Sequence, residues 1–444
     1  MTPLQNGTAG GREDMDKSEA SLMWPRRYSI VTLCVLAVFV CYIDRVNISV
    51  AIIAMQAEYG WSETTKGLVL SSFFIGYMLF MVPSGWLANR LGGKLVLGAA
   101  VLWWSIFTFL TPAAASFGLA LLLAARIAMG AGEAAMFPSA YNLYARWVPE
   151  RERSRAVALL IGGIPMGTLF ALVITGWLVT RFGWESVFYI FGVSGILWYW
   201  LWHYFGHNDP QTDPRCSTLE REFLTNNLRG LDKQSKNNVP QHIPWKKFFS
   251  TPAIWALIIN HFCSNWGFYM LLAWLPSYFS ATLSLGIINA GIYSAAPWLT
   301  MFLVGNIGGF VADNLVSRGF RLITVRKLMQ VTGLLGSGLC FWMAQDVTSA
   351  PAALSLMCGA LGFVALTWSG FVPNHLDIAP KYADILMGVT NTAGTIPGII
   401  GIAVTGWLVE TTGSYASPFA LCAAINLVGA VIWLFFAKAE ELID

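Results

Sequence analysis

Four ionisable residues stand inside apolar runs of this sequence: Asp44 and Arg45 in "CYIDRVNISVAII", and Arg126 and Glu133 in "ARIAMGAGEAAMFPS". A guanidinium matches a carboxylate or phosphate in a two-point fork, so an arginine in such a place attracts an anion. A carboxylate there exchanges its charge for a proton, because burial disfavours the charged form and a neighbouring cation favours it. When an anion takes the arginine, the carboxylate loses its partner and protonates more readily, and linkage makes the effect reciprocal. That is the chemistry of an anion and a proton moving together. Asp44 adjoins Arg45, and Arg126 and Glu133 are seven residues apart, two helical turns on one face. Each couple is expected to form an ion pair facing a central cavity.

The runs that hold these residues are membrane spans by composition. Of 444 residues, 56% are hydrophobic and 11% charged, and the mean hydropathy is +0.58; a soluble protein carries about a quarter charged residues. Runs of about 20 apolar residues cross about 30 Å of hydrocarbon. They are read at 29–55, 65–88, 95–115, 117–145, 156–180, 186–205, 253–280, 288–313, 326–345, 351–375, 384–410 and 416–438, twelve in all. The division is a tail over 1–28, a six-helix half over 29–205, a hydrophilic linker over 206–252 and a second half over 253–444. Within the linker, "STLEREFLTNNL" reads as a short amphipathic helix on the membrane surface or as a solvated connector.

Orientation follows from lysine and arginine in short loops. Arg26 and Arg27, Arg90 and Lys94, Arg146 to Arg155, and Arg318 to Lys327 flank the spans on one side, with Arg181 the main exception on the other. Both termini are therefore expected in the cytoplasm. The first 25 residues mix acids and bases without an apolar core and read as neither a signal nor a transit peptide.

Several classes are excluded. The loop charges account for the net +3, so no nucleic-acid partner is implied. Seven cysteines show no disulfide framework and no metal spacing, and no cofactor is expected. The sequons at Asn6 and Asn47 are expected to stay unmodified, one in the cytosol and one inside a span. A membrane-embedded enzyme needs His, Asp or Cys clustered at one water interface, which the sequence lacks; His261 and His375 read as hydrogen-bonding groups between helices.

The halves repeat one another. "TGWLV" occurs at Thr175–Val179 and again at Thr405–Val409, and "GWLANRLGGK" (Gly85–Lys94) is echoed by "GFVADN" (Gly309–Asn314). Two similar halves joined by a linker suit a carrier that rocks about a central site. The turn at Gly85 resembles the signature of the major facilitator superfamily, which implies that Gly85, Asn89, Arg90 and, in the echo, Asp313 form a cytoplasmic gate pinning the halves. Asn89 stands where that signature has Asp.

"DRVNISVAI", "RIAMGAGEAAMFPS", "RWVPERERSRA" and "NHLDIAPKYADILMGVTNTAGT" resemble the anion:cation symporter branch of that superfamily, over essentially every span. The resemblance implies an all-α membrane protein, twelve transmembrane helices in the major facilitator fold. It implies proton coupling at Asp44 and Glu133, substrate or pairing roles for Arg45 and Arg126, and a cavity lined by Tyr77, Trp368, Ser369 and Asn391. Ser264 stands where the vesicular glutamate transporters carry a second substrate arginine, and there the chain looks more like sialin. Asp44 is shared with the plastid carriers and bacterial permeases. The expected function is proton-coupled symport of a small organic anion by a monomer in the lipid bilayer, a bacterial inner membrane being the expected location. The alternative is a sodium-coupled or uncoupled phosphate carrier.

Overall fold

The computed structural model describes residues 24–237 and 244–443; most of the expected tail and the Asn6 sequon lie outside them. Among the described residues the regular structure is helical, without strands. Inside hydrocarbon each backbone N–H and C=O needs an internal partner, which a helix supplies. The helices are α1 (Arg26–Tyr59), α2 (Glu63–Leu91), α3 (Gly93–Phe117), α4 (Leu119–Glu133), α5 (Met136–Trp147), α6 (Glu150–Phe182) and α7 (Glu185–Phe205). After them come α8 (Thr218–Asn237), α9 (Trp245–Ser250), α10 (Pro252–Leu283), α11 (Ile287–Ser317), α12 (Leu322–Met343), α13 (Ala350–Ile378), α14 (Ala383–Thr412) and α15 (Ala416–Phe436).

Nine helices, counting α4 with α5 as one, are long and apolar enough to cross a membrane among the described residues. The chain is thus a multi-pass membrane protein. Helices α7, α10 and α12 have spanning length, with 21, 32 and 22 residues, and their Trp, Tyr, His, Asn, Gln, Arg and Lys content lowers their hydropathy below that of the other nine.

The same packing occurs twice. Helix α1 runs along α6 as α10 runs along α14; α2 packs on α4 as α11 packs on α13; α3 packs on α7 as α12 packs on α15. The two sets meet where α2 crosses α14 and α6 crosses α11.

Helix α4 ends at Glu133 because of a proline three residues into α5. Pro138 has no N–H to donate to the Ala134 carbonyl, and Ser84 Oγ of α2 donates there instead, at 3.0 Å. One level away, α2 and α4 cross through Gly76 and Gly130, where an added Cβ would collide with the Ile127 or Phe73 carbonyl. That close approach brings Phe73 up against Arg126.

"STLEREFLTNNL" is helical from Thr218 on, within α8 (Thr218–Asn237). The linker is tied to the first half by charge. Arg26 Nε donates to Asp213 Oδ2 at 2.8 Å, Arg27 Nη1 to Glu220 Oε1 at 3.1 Å, and Arg27 Nε to Glu152 Oε2 of α6 at 2.9 Å. The α1 end at Arg26 therefore lies beside the linker, and the end at Tyr59 lies on the opposite side.

Candidate functional site

Neighbouring residues on a helix point about 100° apart, and Asp44 and Arg45 accordingly leave α1 in different directions. Arg45 turns toward α4, where Nη2 and Nε lie 2.8 and 2.9 Å from Glu133 Oε2. Asp44 turns toward α3, and Trp104 Nε1 donates to its Oδ2 at 3.1 Å. The expected Asp44–Arg45 pair does not form. Nor does Arg126–Glu133: their Cα atoms are about 10 Å apart along the axis at 1.5 Å per residue, while Arg45 approaches Glu133 laterally.

Arg126 is left without a carboxylate. It is 2% exposed, its Nη1 sits 3.1 Å from Met129 Sδ, and its Nε is buried with no partner among the described residues. Asp44 Oδ1 and Glu133 Oε1 are buried in the same way. Phe73 serves both arginines, its ring centroid 5.0 Å from Arg45 Cζ and 5.4 Å from Arg126 Cζ. A void of about 20 Å³ is lined by both arginines with Ser49, Leu272 and Ala273, which is room for about one water.

The remaining expected cavity residues divide. Tyr77 joins the cluster, its ring 4.9 Å from Arg45 Cζ. Trp368 instead lines a cavity of about 280 Å³ between the halves, with Pro165, Phe268, Trp298 and Met301. Asn391 Nδ2 reaches across to Met81 Sδ at 3.0 Å. Ser369 lines neither cavity; its carbonyl accepts from Arg326 Nη1 at 3.2 Å. His375 bonds Val372 O and Thr390 Oγ1, at 2.8 and 2.7 Å.

At the linker side, Asn89 Oδ1 accepts from Asn142 Nδ2 of α5 at 3.0 Å, and Arg90 Cζ lies 5.1 Å over the Trp86 ring. Gly85 lies above Pro138, while Asn89, Arg90 and Asp313 are exposed. These contacts stay within the first half. Among the described residues no hydrogen bond or ion pair links Arg90 or Asp313 across the halves, so the expected pinning is not formed in this conformation. The halves meet at the other end, where Thr64 N–H donates to Glu410 Oε2 at 2.7 Å.

Sequence reasoning missed three groups. Trp104, one of several tryptophans in the apolar runs, holds Asp44. Cys41, one turn before Arg45, places Sγ 3.2 Å from Glu133 Oε2. Lys66 stands at the edge of its apolar run, where a lysine reads as a solvated flank, yet it is 3% exposed. The signal for Lys66 was its position between Trp61 and the apolar stretch beginning at Gly67.

Residues 34–402 match the family model described as Major Facilitator Superfamily. "Sodium-dependent phosphate transport protein 1, chloroplastic" of Arabidopsis thaliana is 43% identical over 421 residues, covering 95% of this chain and 81% of that one. "Ascorbate transporter, chloroplastic" of the same plant is 42% identical over 428 residues, covering 96% and 78%. Human "Sialin" is 33% identical over 451 residues, covering 93% and 90%. Among solved structures, an inward-facing, occupied bacterial homologue of the human lysosomal transporter Spinster superposes with a TM-score of 0.73 at 17% identity, covering 94% of this chain and 98% of that one. That likeness concerns the fold.

Proposed function

The chain belongs to the anion:cation symporter branch of the major facilitator superfamily, is a transporter of anions and not an enzyme, and from that membership we propose that it carries a small organic anion together with a proton by alternating access. The observation that carries the reading is the asymmetry of the buried charges. Arg45 is neutralised by Glu133, while Arg126, beside the same Phe73 ring, has no carboxylate at ion-pair distance among the described residues. A free guanidinium suits an anionic carboxylate. Glu133 and Asp44 are the proton-coupling candidates, and Arg45, Arg126, Tyr77, Trp368 and Asn391 the substrate-facing ones, with Ser369, which lines neither cavity in this conformation, assigned to the same role in the opposite one.

In this reading twelve helices span the bilayer, with α7, α10 and α12 added to the nine. The units that rock are 29–205 and 253–444, both termini are cytoplasmic, and the carrier works as a monomer. Gly85, Asn89, Arg90 and Asp313 act at the cytoplasmic gate, which is then open here while the opposite entrance is shut. A bacterial inner membrane has no support among the relatives, two of which are named chloroplastic. The second reading, a sodium-coupled or uncoupled phosphate carrier, is favoured by the similarity to the sodium-dependent phosphate transport protein.

Glu133→Gln tests the first reading. Glutamine still accepts from Arg45 but binds and releases no proton. In proteoliposomes the variant should exchange labelled for unlabelled anion and fail to accumulate it under a pH gradient. Retained pH-driven accumulation would remove Glu133 from coupling; accumulation that requires sodium and ignores the pH gradient in the parent protein would establish the second reading.

A further inference from the structure

We propose that Lys66 is a gate residue, closing the entrance opposite the linker by seating its ammonium on an aromatic ring carried by the other half. Lys66 Nζ donates to Gln56 Oε1 of α1 at 3.0 Å and to Glu63 Oε2 of its own helix at 3.3 Å. Both polar partners belong to the first half. The contact across the halves is Trp274 of α10, whose ring centroid lies 5.0 Å from Nζ.

That ring is fixed in the second half. Trp274 Nε1 donates to the Ile402 carbonyl of α14 at 3.1 Å, and the ring meets Tyr415 edge-on at a centroid distance of 6.2 Å. Around it the backbones approach closely. A Cβ at Gly67 would lie 3.2 Å from the Ile402 carbonyl oxygen and 3.3 Å from Trp274 Cζ2, and one at Gly406 would collide with the Glu63 carbonyl. The gate is thus a tight crossing of α2 and α14 with one buried cation at its centre.

Tryptophan offers the strongest aromatic face to a cation, and the attraction grows as water is excluded. If the halves part here, the ammonium keeps Gln56 and Glu63, loses the indole and gains water. The contact therefore has two discrete arrangements, and it favours the shut one only while the ring is present. A staple internal to the first half would make the same two hydrogen bonds but would be indifferent to the position of Trp274.

The experiment uses the full chain in proteoliposomes, with Ala403→Cys as reporter, since Ala403 Cα faces Gly67 across the crossing. A membrane-impermeant methanethiosulfonate is added on the side opposite the linker. Lys66→Met and Trp274→Leu should each raise the labelling rate by about tenfold, whereas Lys66→Arg, which keeps a cation able to stack, should stay within about twofold of the parent. Buried Cys422, 1% exposed, serves as the folding control and should remain unlabelled. Labelling of the Met and Leu variants at the parent rate overturns the proposal, as does an arginine variant that labels as fast as the methionine one. Should Lys66→Met expose Cys422, the Trp274→Leu and Lys66→Arg results decide. The assay needs no transported substrate, so its failure leaves the proposed function standing, and the reverse also holds.

Discussion

Arg45 of α1 and Glu133 of α4 form a buried ion pair at 2.8 Å, the guanidinium 6% and the carboxylate 0% exposed at the side chain. It joins two helices that are distant in sequence, and among the described residues it leaves the adjacent acid, Asp44, and the second arginine, Arg126, each without an ion pair. The unpaired groups, more than the pair, give the site its capacity to take up an anion or a proton.

The two arginines should respond oppositely to removal. Arg45→Met leaves the Glu133 carboxylate buried with Cys41 Sγ as its remaining neighbour, and breaking a buried pair in this way costs about 3–5 kcal/mol. Arg126→Met breaks no ion pair among the described residues and removes a buried cation without one, so stability should hold or rise. Thermal unfolding in detergent separates them: a clear fall in Tm for Arg45→Met and none for Arg126→Met. Equal losses would mean that Arg126 has an ionic partner in the folded protein.

Charge alone is not expected to satisfy the substrate. Arg126→Lys keeps the cation but loses the planar fork, and should reduce uptake by about tenfold or more, at about 1.4 kcal/mol per factor of ten. The check is initial uptake at matched expression. Uptake near the parent rate would reduce Arg126 to a point charge.

Much of this architecture is legible in composition, because apolar runs near spanning length leave a helix as the main choice. The four buried charges were legible for the same reason, being conspicuous in an apolar background. Their pairing was not. Which acid meets which base depends on helix rotation and on the Gly76–Gly130 crossing, and i,i+1 neighbours on a helix do not face one another. Lys66 escaped notice because a lysine at the end of a span is ordinarily solvated, and only the approach of α10 and α14 buries it. The linker's charges were visible, but their docking on Arg26 and Arg27 required the chain to fold back on itself.

That docking should respond to acid. Burial raises the Asp213 carboxyl, but the Arg215 backbone N–H and the Arg26 guanidinium outweigh it, and the net shift is downward. A carboxylate lowered in the folded state contributes stability above its unfolded value, about 3.9 for Asp, and loses it as pH falls through the folded value. The linker should therefore stay docked at neutral pH and loosen below about pH 4. Asp213→Asn should loosen it at pH 7, by about 2 kcal/mol for a charged hydrogen bond, seen as faster tryptic cleavage at Arg215 and Arg221. Cleavage unchanged in the variant would show that Glu220 and Glu152 suffice.

Asp44 allows the sharpest separation of packing from coupling. Its Oδ2 accepts from Trp104 at 3.1 Å while Oδ1 has no partner among the described residues, so the charged form is under-compensated and the protonated form would fit the site with little loss. Asp44→Asn copies that neutral form, keeps an acceptor for Trp104 and changes volume hardly at all. If Asp44 serves only packing, the variant should transport like the parent. If it binds the coupled proton, Tm should hold or rise while uptake driven by a pH gradient falls by about tenfold or more, and counterflow of labelled anion continues. Trp104→Phe supplies the control: it removes the donor but keeps the proton site, so it should weaken uptake while leaving it responsive to the pH gradient. Retained accumulation in Asp44→Asn, beside its loss in Glu133→Gln, would assign coupling to Glu133 alone and leave Asp44 as the acid that orients Trp104 against α1.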